Sequence, residues 1–292
     1  LVFFVAGLVI WTNPLGVMRW LARGQLAAAG LERSAFEAPA GELVYFEGGP
    51  TRRETPAATL VLIHGLGDQS ASWSGVAPEL MEDYRLLIPD LPGHGRSAPD
   101  EGPLSIYDHL AAVRALIDLE ARGEPVVLVG SSMGGWVSLL YARERPERVA
   151  RLVLVASAGL ESDFQGVSLL PATRDEARAL ISAVMGPEIG EQTPGFFVTD
   201  LLDKAKTGAA SRMRDQFAPE QLLDGELGEI GARVDLIWGD QDGLFDLAYA
   251  RRLERQLPDA ELHVLEGCAH VPHVTCSERF VRVVEGILEG EP

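Results

Sequence analysis

Ser132 stands inside the hexapeptide GSSMGG, residues 130–135, directly behind the apolar run VVLV at 126–129. A serine hydroxyl is a weak nucleophile until a neighbouring base takes its proton. The G-x-S-x-G form is what a sharp strand-to-helix turn needs in order to lift such a hydroxyl clear of the backbone. Read alone, the same residues are equally a tight turn and nothing more. Three further segments weigh against that reading, each following an apolar run: HGLG from His64, GDQD at 239–242, and GCAH ending at His270. A nucleophile, an acid and a histidine in the order Ser, Asp, His are the parts of a proton-relay triad. In it His270 serves as base and then acid, and an aspartate orients its ring. Asp240, Asp242 and Asp246 are the acids on offer.

The elements that must position these residues are legible as an alternation. Residues 43–46, 59–63, 85–88, 126–129, 151–155, 234–238 and 261–265 are short apolar runs, several of them without a polar face, as strands buried on both sides are. Helical stretches lie between them. Residues 105–121 start with a serine cap and carry an apolar stripe; 133–145 end before Pro146; 251–257 end before Pro258. The predicted fold is α/β, a mainly parallel sheet flanked by helices, with the chemistry at the carboxyl ends of its strands. From 161 to 230 no buried strand is readable. Thr173-Arg-Asp-Glu176 has the form of a capping box, and this stretch is expected to be a helical cap, or lid, over the core at 41–160 and 231–292.

With these blocks in view, the chain resembles the α/β-hydrolase superfamily across nearly all of residues 41–290. HGLGD, DLPGHGRS, GSSMGG, WGDQD and GCAH carry the resemblance. The apolar N-terminus with GSSMGG and WGDQD is similar to membrane-bound monoacylglycerol lipases and bacterial lysophospholipase-type esterases. The resemblance implies Asp242, last residue of W-G-x-x-D, as the acid. It nominates the backbone N–H groups of Leu66 and Met133 as the oxyanion hole, and makes His94 a loop-bracing residue. His64 is read as bracing the oxyanion loop, His109 and His263 as structural, and His273 as a residue one helical turn from His270. No cofactor and no metal are expected.

Composition narrows the classes. With 47% apolar residues a large core is available, and a net charge of -18 argues against nucleic acid and against a polybasic membrane patch. Cys268 and Cys276 lack zinc-like spacing; both read as small buried residues, with a bridge between them left open. Residues 1–22 are mostly apolar, interrupted by Thr12-Asn13-Pro14 and Arg19, and are expected to be a membrane anchor, with 23–40 an amphipathic linker; a buried N-terminal helix is the competing reading. The expected location is accordingly a bacterial inner membrane, and no obligate protein partner is inferred. The expected activity is serine hydrolysis of lipid-like carboxylic esters, monoacylglycerol or (lyso)phospholipid. Carbon–carbon bond hydrolysis or acyl transfer on the same triad, and a ligand sensor of negligible turnover, are the alternatives.

Overall fold

Runs such as LVLI at 60–63 have no polar face, so a sheet built from them must be covered on both sides. The structure, a computed structural model that describes residues 12–290, shows that arrangement. One sheet of eight strands contains β1 (Glu32–Ala38), β2 (Gly41–Gly48), β3 (Thr59–Ile63), β4 (Arg85–Pro89), β5 (Val126–Ser131), β6 (Val149–Val155), β7 (Val234–Gly239) and β8 (Ala260–Leu265). Their order is β1-β2-β4-β3-β5-β6-β7-β8. The pairs β1–β2 and β2–β4 are antiparallel and the remaining five are parallel. Among the described residues, the helices of ten residues or more are α1 (Pro14–Ala28), α2 (Ile106–Glu120), α3 (Met133–Glu144), α4 (Arg174–Met185), α5 (Gly195–Thr207), α6 (Leu247–Gln256) and α7 (Ser277–Glu289).

Side chains alternate between two apolar clusters, one on each face. Val61, Ile63 and Leu128 join Val113 and Ile117 of α2 and Val137 of α3. Leu60, Leu62 and Val129 join Trp73, Leu26 of α1, and Phe280 and Val284 of α7. Full burial of such a side chain contributes roughly 1.5–3 kcal/mol, which is why the continuous runs lie centrally. Local signals place the helix starts. Ser105 and Asp108 form a reciprocal capping box on α2, and the Thr173 hydroxyl accepts from Glu176 N–H at 3.2 Å on α4.

Residues 161–230 add no strand to the sheet; they hold α4, α5, two shorter helices and three 3-10 turns. This segment is tied to the core at its edges. Leu223 N–H donates to Gly159 O at 2.8 Å, the Trp136 indole to Gln221 O at 3.1 Å, and Gly243 N–H to Ala183 O at 3.0 Å.

Two expectations about the N-terminal region meet a different arrangement. Residues 23–40, read as a linker, contain the last turns of α1 and strand β1, a half-exposed antiparallel edge. The anchor and the membrane location based on it are corrected. Leu1 to Trp11 lie outside the described residues, and among the described residues no helix is long and apolar enough to cross a membrane. The break at Asn13-Pro14 is the reason. The Asn13 side chain accepts from Gly16 N–H at 3.1 Å and Pro14 occupies the first turn, so a new helix starts there. That helix folds against the domain, with Leu26 completely buried.

Candidate active site

The turn after β5 forces Ser132 into φ 52°, ψ -116°, a conformation few side chains adopt, between two glycine-rich flanks. It is held by its backbone: Ser132 N–H donates to Val155 O at 2.9 Å, and its carbonyl accepts from Gly135, Trp136 and Ala158. Gly134 lets α3 start against β3, since a Cβ there would lie 2.2 Å from Ile63 O. The hydroxyl itself is half-buried and has no hydrogen-bond partner among the described residues. Beside it runs the loop after β3; a Cβ on Gly65 would be 3.2 Å from the Ser132 Cβ. The N–H groups of Leu66 and Met133, the residues that follow Gly65 and Ser132, make no hydrogen bond among the described residues.

Asp242 and His270 meet as a buried pair. Asp242 Oδ2 lies 2.9 Å from His270 Nδ1, and the side chains are 0% and 4% exposed. The other oxygen of Asp242 accepts from Leu244 N–H at 2.8 Å and Phe245 N–H at 3.0 Å, which fixes the carboxylate plane. The Trp238 indole N–H donates to Phe245 O at 2.7 Å, tying this turn back to β7. Asp240 is exposed and accepts from Gly267 N–H at 2.6 Å; Asp246 caps α6 through Tyr249 N–H at 2.8 Å. Neither is hydrogen-bonded to a histidine among the described residues. The His270 loop is closed by a disulfide between Cys268 and Cys276, so the bridge left open by the sequence is present and brackets the histidine.

Three other histidines pack ring against ring beside the loop after β3, His64 tilted on His94 at 5.0 Å and His94 edge-on to His109 at 5.5 Å. His64 Nε2 accepts from Leu91 N–H at 3.0 Å, which leaves the proton on Nδ1 to be donated to Gly65 O at 2.8 Å. His94 Nε2 accepts from Gly67 N–H at 3.1 Å, and Nδ1 donates to Pro92 O at 2.9 Å. Burial, then the neighbouring His64 and His109, hold the His94 ring well below its ordinary range. Burial pushes His109 down to about 3 and places it against Met213 Sδ at 3.3 Å. His273 is likewise pushed down to about 3, by burial and then His270; it stacks on Trp73 at 4.2 Å, and neither ring nitrogen has a partner among the described residues.

Two features were not visible in the sequence. Asp235, Glu261 and His263 put one ligand atom each within 4.8 Å of one another. They are brought together by β7–β8 register, at the end of β7 opposite Asp242, and Asp235 is paired with Arg151 at 2.6 Å and Glu261 with Arg233 at 2.7 Å. A cavity of about 540 Å³ lies behind the Asp242 turn, lined by Glu161, Asp163, Phe245, Tyr249, Arg252 and Arg255, and includes neither Ser132 nor His270.

Comparison with known proteins shows the family of the chain. The sequence model of the Alpha/beta hydrolase family matches residues 60–283. A pimeloyl-[acyl-carrier protein] methyl ester esterase of Vibrio parahaemolyticus is 30% identical over 76% of this chain and 90% of that protein. A 2-hydroxy-6-oxononadienedioate/2-hydroxy-6-oxononatrienedioate hydrolase of Cupriavidus pinatubonensis is 28% identical over 80% of this chain and 87% of that protein. Among solved structures, one described as a membrane phospholipase A, a bacterial virulence factor, superposes with a TM-score of 0.78 and 26% identity over 99% of this chain and 96% of that one.

Proposed function

We propose that this chain, which belongs to the alpha/beta hydrolase family, is a serine hydrolase that cleaves lipid-like carboxylic esters through an acyl-enzyme. One observation carries the reading: Asp242 faces His270 at 2.9 Å with its second oxygen locked by two backbone amides. That lock holds the imidazole in the Nδ1–H tautomer and leaves Nε2 as the proton acceptor. Ser132 Oγ attacks the ester carbonyl carbon while His270 Nε2 takes its proton. The carbonyl oxygen, now negative, accepts from the Leu66 and Met133 N–H groups. Collapse expels the alcohol, which His270 protonates, leaving the acyl group on Ser132. Water, deprotonated by the same histidine, repeats the sequence and releases the acid. Asp242 stays ionised and stabilises the imidazolium. No cofactor enters.

Residues 161–230 are read as the cap that chooses the acyl chain. Leu169, Leu180, Val184 and Met213 from this segment pack against the core cluster that also contains Met133, the residue after the nucleophile. The likeness to a structure described as a membrane phospholipase A supports a lipid ester. The relative named as an oxononadienedioate hydrolase supports a second reading, hydrolysis of a carbon–carbon bond by the same residues. Turnover of monoacylglycerols, lysophospholipids and p-nitrophenyl esters of graded chain length, against a vinylogous diketone, tests both. Ester turnover that is lost in Ser132→Ala supports the first; turnover of the diketone alone would replace it with the second.

A further inference from the structure

Helix α1 stands outside the elements that supply Ser132, Asp242 and His270, yet its side chains reach the loop after β3. Three consecutive peptide groups of that loop are tied from outside. The Gly65–Leu66 peptide carries the Leu66 N–H, and its carbonyl accepts from His64 Nδ1 at 2.8 Å. The Leu66–Gly67 peptide donates its N–H to His94 Nε2 at 3.1 Å. The Gly67–Asp68 peptide donates its N–H back to Gly65 O at 3.3 Å, and from outside the loop its carbonyl accepts from Arg19 Nη2 at 2.8 Å. Gly67 has φ +73°, where glycine's wide backbone freedom leaves the chain unrestrained unless a partner fixes it. Two residues on, Arg23 Nη1 donates to Gln69 Oε1 at 2.8 Å. Thus, of the ties that reach this loop from outside, α1 provides those that the histidines do not.

The charges agree with such a use. The chain has 43 acidic residues, yet Arg19 and Arg23 are spent on neutral oxygens of this loop. The nearby carboxylate, Asp90, is occupied by Ser70 N–H at 2.8 Å and Arg96 N–H at 2.9 Å. The far end of α1 is anchored too: Leu15 N–H donates to Asp200 Oδ2 at 2.9 Å and Lys204 Nζ to Asn13 Oδ1 at 2.8 Å, both on α5. The helix is therefore held at its start and can hold the loop with its middle.

We infer that Arg19 is a positioning residue of the oxyanion hole, fixing the Leu66 N–H through the Gly67 peptide without touching the reacting atoms. This rests on Leu66 and Met133 being the oxyanion donors. Removing such a donor outright costs about a hundred- to thousandfold, and displacing a reacting group by about 1 Å costs about a hundredfold. Loss of one of these ties should cost less, about tenfold in kcat. Every ester develops the same oxyanion, so the factor should not depend on acyl chain length.

The test compares Arg19→Ala and Arg19→Lys with Trp20→Ala, a residue 64% exposed on the outer face of the same helix. Steady-state hydrolysis of p-nitrophenyl esters from acetate to octanoate, and the rate of labelling by a fluorophosphonate, are measured for each. The expectation is a kcat lowered about tenfold in Arg19→Ala on every ester, with labelling slowed in parallel and KM within about twofold of wild type. Arg19→Lys, which keeps a donor, should recover most of the loss, and Trp20→Ala should match wild type. If Arg19→Ala does not fold, Arg19→Met, which keeps the stem and drops the donor, carries the same expectation. A kcat near wild type, or a loss confined to KM or to long esters, overturns the inference. Ser132→Ala measured alongside separates the two readings. Residual turnover there defeats the nucleophile assignment itself, whereas a dead Ser132→Ala with a fully active Arg19→Ala defeats only the role of Arg19.

Discussion

Replacing Asp242 by asparagine isolates what the carboxylate does, because the surrounding amides dictate how the new side chain must sit. Leu244 N–H and Phe245 N–H both point at one oxygen, at 2.8 and 3.0 Å. Turning the asparagine NH2 toward them would leave buried donors unmet, at about 1–3 kcal/mol each. The amide oxygen therefore takes that place, and the NH2 faces His270 Nδ1. That nitrogen must then accept, its proton moves to Nε2, and the imidazole can no longer take the serine proton. The expected cost is about four orders of magnitude in kcat, or about 5.5 kcal/mol of transition-state stabilisation. Stability should hardly change, since both amide bonds survive. Asp240→Asn loses less than about tenfold, because Asp240 is exposed and serves only Gly267 N–H. The assay is kcat on p-nitrophenyl butyrate beside the melting temperature of each variant. An Asp242→Asn enzyme within about a hundredfold of wild type, or an Asp240→Asn enzyme more impaired than it, refutes the reasoning.

Ser132→Ala should be inactive, folded and silent to fluorophosphonate labelling; Ser132→Gly should melt above it, since glycine relieves a strained conformation worth about 1–3 kcal/mol. Buried His94, His109 and His273 set a pH dependence of stability, because burial holds all three below the ordinary 6.5, the last two at about 3. Between those values the unfolded chain binds more protons than the folded one, so stability is complete above pH 6.5 and is lost as pH falls toward 3. His273→Phe removes one group from that difference, and the slope of unfolding free energy between pH 4 and 6 should drop by about 1.4 kcal/mol per pH unit; chemical denaturation across that range decides, an unchanged slope being the contrary result. Reducing Cys268–Cys276, or replacing both by serine, should cost about 2–3 kcal/mol for so short a loop. Because His270 lies inside the loop, kcat should fall with the melting temperature, and a reduced enzyme with both values unchanged would speak against a stapled histidine.

Much of this arrangement was legible because the sequence pattern and the packing obey the same constraint. Continuous apolar runs mark strands covered on both faces, and the glycines around Ser132 mark backbone pressed against β3. The choice among Asp240, Asp242 and Asp246 was not legible from residue type. All three are small acids after β7, and only their partners differ: a backbone amide, a histidine and a helix start. Resemblance to a family nominated Asp242 where spacing could not. Strand β1 was hidden because a half-exposed edge reads as an amphipathic segment. The part of the N-terminal region from Asn13 on was misread because hydropathy was weighed above Asn13-Pro14, which is a helix-start signal. The reach of Arg19 to Gly67, and the meeting of Asp235, Glu261 and His263, depend on tertiary contacts that no local pattern encodes.

The placement of residues 161–230 between β6 and β7 also orders events during synthesis. Ser132 and both proposed oxyanion donors belong to the first part of the chain, whereas Asp242 and His270 follow the insertion and enter the sheet only when β7 pairs with β6 at Leu152–Val234. On the proposed assignment, a ribosome-bound chain that ends within residues 161–230 holds Ser132 without Asp242 and His270. On that assignment the triad is therefore completed by the last part of the chain to be made, the turn after β7 that carries the acid and the bridged loop that carries the histidine.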